Sequence, residues 1–165
     1  MNYLFAGLAI ANTILILLTA GTGYLAFRQQ IPTHMHILAG LFVAIFTCLI
    51  HSIIFVYFLG TGKSVKTACE EYKLEGDFVR ITRKLKGRAF PFALFGSLAI
   101  MGAAFTGGAV STHALATPIH LTTIFIAFGI NIVCFFFEYK AVRANMNLFE
   151  RLAAALPDDA ESKNR

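Results

Sequence analysis

Two histidines stand at the starts of long apolar runs: His36 in PTHMHILAGLFVAIFTC and His120 in TPIHLTTIFIAFGINIVC. An ionisable side chain in hydrocarbon is costly and is read first as a functional group. Imidazole suits iron, copper and zinc, and a haem iron takes axial histidines. Two imidazoles at one depth, on two helices, therefore point to one haem b ligated by His36 and His120. Gly40, Gly23 and Gly107 lie near that level and leave room for a flat macrocycle. His34 and His113, in the adjoining loops, offer further imidazoles and keep a non-haem copper, zinc or iron site open as an alternative. The plain alternative is a pair of interfacial histidines that bond water or lipid headgroups and hold no metal.

Each histidine heads a polar seam. A helix turns about 100° and rises about 1.5 Å per residue, so Gly40, Thr47 and His51 fall within about 60° of His36. On the other helix Asn131, Cys134 and Glu138 fall within about 40° of His120 by the same count. Polar groups in spans face the bundle interior, so both seams are expected to face inward. His51 lies about 22 Å below His36, and Cys134 about 21 Å below His120. This deeper level, His51 with Asn131 and Glu138, is a candidate quinone or proton site. The plainer reading is a neutral His51 bonded across helices to Asn131 or Ser52, with Glu138 snorkelling or paired beside Lys140.

In general plan the arrangement resembles the four-helix membrane b-type cytochromes. That resemblance implies electron transfer, with a second histidine pair often found at the other face. Here the residues opposite His51 are Asn131 and Cys134.

The elements that must carry these residues are four apolar runs, at about 3–27, 36–59, 91–110 and 118–139. Crossing the hydrocarbon takes roughly 20 helical residues. The chain of 165 residues is 57% hydrophobic with a positive mean hydropathy. Only Glu138 brings a charge into the runs. Barrel strands would be short and alternating. The expected fold is an all-α integral membrane bundle of four transmembrane helices, one domain over 1–156 with a polar tail at 157–165. The first run lacks a basic leader and is too long for a signal-peptide core, so it reads as a retained helix. Two hairpins with similar punctuation (glycines at 21 and 23 and at 107 and 108, a proline at 32 and 118, then a histidine) suggest a duplicated, parallel pair.

Residues 62–90 hold most of the basic side chains, eight of the fourteen Lys and Arg lying between Lys63 and Arg88. Cytoplasmic loops collect Lys and Arg, so both termini are expected in the cytoplasm, with a bacterial inner membrane as the setting. The net charge of +5 then reflects topology and anionic lipid, not nucleic acid. Val65, Cys69, Tyr72, Phe78, Val79 and Leu85 recur at rough helical spacing in the basic segment, suiting a surface helix or an extension of the second span. A solvated loop competes with that reading. Gly60–Ser64 mimics the end of a phosphate loop, but position 57 is Tyr where Gly is required. The three cysteines, Cys48, Cys69 and Cys134, make no disulfide framework in this topology. Small residues crowd the third run and suit close helix packing.

These features point to a haem b protein that passes electrons, between a membrane quinol and a partner protein. A component of a quinol-linked oxidoreductase is one form of that role. The competing class is a non-catalytic accessory or assembly subunit of a larger membrane complex, or a homo-oligomer, held in the lipid bilayer.

Overall fold

The computed structural model describes residues 1–74 and 76–157. They form four helices: α1 Asn2–Phe27, α2 Thr33–Glu71, α3 Phe78–Ser111 and α4 Thr117–Ala153. All four are long and apolar enough to cross a membrane. In hydrocarbon the backbone must satisfy its own hydrogen bonds, and helices do so within one segment.

The helices outrun the apolar spans. α2 has 39 residues and is about 58 Å long, so nearly half of it projects beyond about 30 Å of hydrocarbon. The segment 62–90 is thus divided. Its first part continues α2 to Glu71, and its second begins α3 at Phe78. Pro91 lies inside α3, at the border between its charged and apolar portions. Tyr24, Leu25 and Phe27 continue α1 past the glycines at 21 and 23, so those glycines do not end the helix.

Three helix ends share one device. Gln29, Lys73 and His113 follow α1, α2 and α3 with φ of 56°, 48° and 60°. Each allows the next amide to reach back to the helix: Gln30 to the Leu25 carbonyl at 2.9 Å, Leu74 to Cys69 at 3.1 Å, Ala114 to Ala109 at 2.9 Å. This left-handed closure satisfies orphan carbonyls. Pro32 then precedes α2 in an extended conformation, and Pro118 sits in the first turn of α4, where its missing N–H costs nothing.

Sequence neighbours pack side by side, α1 also meets α4, and α2 touches α4 across the diagonal. The interior alternates apolar and polar levels. Ile16, Val43, Ala44 and Ile100 pack toward the histidine end. Phe5, Ile50, Ile54, Phe58 and Val142 pack in the middle. Val65, Phe78, Leu148 and Leu152 join α2, α3 and α4 at the basic end. Between them Asn12, Thr47, His51, Asn131, Glu138, Thr82 and Asn145 are all buried. The exterior carries exposed Phe42, Ile45, Val56, Phe95, Phe105 and Phe125. In water such a surface would aggregate; in a bilayer it is solvated. Ala89, Ala93, Gly96 and Ala103 form the buried seam of α3, where small side chains let backbones approach.

Candidate functional site

His36 and His120 meet at one end of the bundle. Their ring centres are 6.3 Å apart with planes inclined by 59°, and both side chains are half-buried. No hydrogen bond joins them. The two surroundings match. His36 Nδ1 lies 3.1 Å from Thr22 Oγ1 on α1, and His120 Nδ1 lies 3.2 Å from Thr106 Oγ1 on α3. In both cases the threonine stands 14 residues before its histidine.

The threonines settle which nitrogen carries the proton. Thr22 Oγ1 donates to the Thr19 carbonyl at 2.7 Å, and Thr106 Oγ1 donates to Ala103 at 2.9 Å. Each is shorter than the contact to imidazole. A hydroxyl has one proton to give, so each threonine accepts from Nδ1–H. The same two carbonyls also face the rings. A neutral imidazole with Nδ1–H carries its lone pair on Nε2.

Glycines admit both rings. A Cβ built on Gly23 would lie 2.9 Å from His36 Cε1, and one on Gly107 would lie 3.0 Å from His120 Cε1. These two glycines therefore make room for the imidazoles themselves. Gly40 meets only the methyl of Thr19, at 4.0 Å. His34 and His113 are exposed. Among the described residues no three His, Cys, Asp or Glu side chains cluster as an ion site, so neither loop histidine completes a three-ligand set with the pair.

The deeper level is fully buried. His51 Nδ1 lies 2.7 Å from Glu138 Oε1, and His51 Nε2 lies 2.9 Å from Asn131 Oδ1. Asn131 Nδ2 donates to Ala127 at 2.8 Å and reaches Gly96 at 3.4 Å. Its amide orientation follows, so Oδ1 accepts and His51 Nε2 is protonated. One further proton is then shared between His51 Nδ1 and Glu138 Oε1, which leaves the pair neutral overall. Glu138 Oε2 has no partner among the described residues. Phe135 stacks on His51 at 4.9 Å and 15°. Gly96 passes so close that its Cβ would lie 2.3 Å from His51 Nε2.

Both seams face inward. Of the expected partners of His51, Asn131 is engaged, whereas Ser52 bonds the Cys48 carbonyl. Glu138 does not snorkel. It is buried against His51, while Lys140 sits 5.3 Å above the Phe136 ring. One turn of α4 rotates Glu138 onto the seam below Asn131 and Cys134, out of reach of the lysine's surface position. Sequence reasoning missed Thr22, Thr106 and Gly96. The repeated Thr-Gly pair at a fixed distance before each histidine was the available signal. Three further polar contacts extend the interior: Thr47 Oγ1 approaches Asn12 Oδ1 at 3.0 Å, and Asn145 links Thr82 at 3.2 Å to the Tyr57 hydroxyl at 3.1 Å.

No protein-family model, curated protein or solved structure matches this chain.

Proposed function

We propose that this chain is a membrane b-type haem protein that transfers single electrons, drawing them from a lipid-phase quinol and passing them to a partner protein. The observation that carries the reading is the His36–His120 pair, with both Nδ1 atoms held by threonine and both Nε2 lone pairs left to ligate. Two imidazoles bound on opposite sides of one ion, at metal–nitrogen bonds of about 2 Å, hold their ring centres roughly 6 Å apart. The observed 6.3 Å fits that spacing. A bare transition ion would want three or four protein ligands, whereas a porphyrin supplies its own four nitrogens. Two histidines alone thus favour haem over copper or zinc.

When bound, the haem supplies a one-electron couple. His36 and His120 hold it; Thr22 and Thr106 fix the tautomer and plane of each ring and raise its basicity. His51, Asn131 and Glu138 hold a proton deeper in the bundle.

A single sequence offset carries Asn12, Thr22, Gly23, His36 and Thr47 onto Gly96, Thr106, Gly107, His120 and Asn131. We read this as duplication of a helical hairpin, with the two ligands as equivalent positions. The clustering of Lys and Arg at the other end supports cytoplasmic termini and a haem near the outer face. A bacterial inner membrane suits this arrangement.

The test is a reduced-minus-oxidised optical spectrum of the membrane-extracted protein, with haem quantified per chain. A b-type band is expected, lost in His36→Ala and in His120→Ala while far-UV circular dichroism is kept. A colourless, metal-free wild type recovered only with larger subunits overturns the reading in favour of an accessory role.

A further inference from the structure

At the basic end of the bundle, α2 and α3 enclose a cleft of about 150 Å³. Its rim carries Lys63 and Lys66 from α2, and Arg83 and Lys86 from α3. Its wall toward the membrane is apolar, made by Phe58 and Leu59, which close the hydrophobic run of α2. Among the described residues no acidic side chain lines it. Lys66 has a loose carboxylate neighbour, Glu70 at 3.7 Å on the exposed face. Lys63, Arg83 and Lys86 have no carboxylate within ion-pairing distance among the described residues.

Uncompensated like charges at one cleft repel one another and need a counter-charge. The cleft also offers apolar wall on one side and cations on the other. An amphiphile with a phosphate head and acyl tails matches both, and basic pockets between membrane helices take such headgroups. The helical extensions matter here. They are rigid, packed through Val65 and Phe78 against Leu148, so the cations project from two fixed rods instead of a mobile loop.

We propose that this cleft binds the phosphate headgroup of an anionic phospholipid, with Lys63, Arg83 and Lys86 as the charged contacts and the exposed Leu59 against the acyl chains. The site is independent of the haem reading, because none of its residues approaches His36 or His120.

The test uses the full chain in nanodiscs of phosphatidylcholine, with phosphatidylglycerol titrated in. Bound lipid is counted by native mass spectrometry, and the thermal midpoint is followed by circular dichroism. The wild type is expected to retain one phosphatidylglycerol and to gain stability from it, but not from inorganic phosphate at equal concentration. The triple variant K63Q/R83Q/K86Q is expected to lose that lipid, with affinity lowered by more than about tenfold. The control K140Q/R143Q, also basic and near the boundary, is expected to retain it. Equal retention by the triple variant overturns the proposal, as does equal loss in the control, which would mean general surface charge. Equal stabilisation by inorganic phosphate overturns the lipid as ligand.

Discussion

At the scale of single residues, the three buried or half-buried histidines obey one rule: each ring lies against a glycine of a neighbouring helix and has at least one nitrogen assigned by its partner. Thr22 and Thr106 spend their own proton on a helix carbonyl, so they can only accept from imidazole. Replacing either by Val keeps the shape and removes the acceptor. If haem binds as proposed, T22V and T106V should each weaken it on the order of 10- to 100-fold, as loss of an outer-shell partner does elsewhere. Haem titration of the purified variants measures this, and unchanged affinity in both would remove the threonines from the site. At the inner level, a methyl group on Gly96 collides with His51. G96A should cost about 1–3 kcal/mol as an overpacked site, while G102A, which meets nothing within 4 Å, should stay within about 0.5 kcal/mol. Reversible unfolding in detergent compares the two. His51 and Glu138 should behave as one unit. H51L strands a buried carboxyl, so the double variant H51L/E138L should be more stable than H51L alone, a non-additivity of the kind expected for residues in contact. A double variant that is simply the sum of two losses would show that the pair contributes no coupling.

At the scale of elements, the spans and the inward seams could be read from the chain, because in hydrocarbon both hydropathy and polar placement are strongly constrained. Thr47, His51, Asn131 and Glu138 are all fully buried, as their shared helical faces require. The water-side ends were less legible. Charged residues on exposed turns erase the hydropathy signal without breaking the helix, so α2 runs on to Glu71 and α3 starts at Phe78, thirteen residues before the apolar run begins at Pro91. The snorkelling alternative for Glu138 fails for a related reason, whereas its place beside His51 on the inward seam holds. Its position near the end of the apolar run favours an escape to water, but its rotation about α4 places it over His51, and rotation outweighs depth once a partner stands there. The extensions have a measurable consequence. Leu148 is buried between α2 and α3, so L148A should cost about 2–5 kcal/mol as a core truncation. In hydrogen exchange by mass spectrometry, the amides of 65–71 and 80–88 should be protected in the wild type and loosened in L148A. Rapid exchange there in the wild type would mean a solvated loop instead of packed helices.

At the scale of the whole molecule, the bundle has two unlike ends. One gathers His36, His120 and two short turns containing a single cation, Arg28; the other gathers four basic side chains around one cleft and the opposite ends of all four helices. Retention of Lys and Arg in the cytoplasm imposes such an asymmetry on membrane proteins in general, and the proposed function rests on that orientation here, since a haem at an outer end would serve a partner on that side only. The orientation can be read with thiols. Cys69 lies in the last turns of α2, at the basic end, half-exposed, while Cys48 and Cys134 lie within the apolar runs. Gln30 and Ala114 are exposed and occupy the two opposite turns. In intact spheroplasts, a membrane-impermeant maleimide should label Q30C and A114C, and should reach Cys69 only after the membrane is opened. The turn cysteines are measured in a C69S background, so that their signal is their own. Labelling of Cys69 from outside, with the turns protected, would reverse the orientation and place the histidine pair at the cytoplasmic face. The histidine geometry would stand, but the electron partner of the proposed haem would then have to be cytoplasmic.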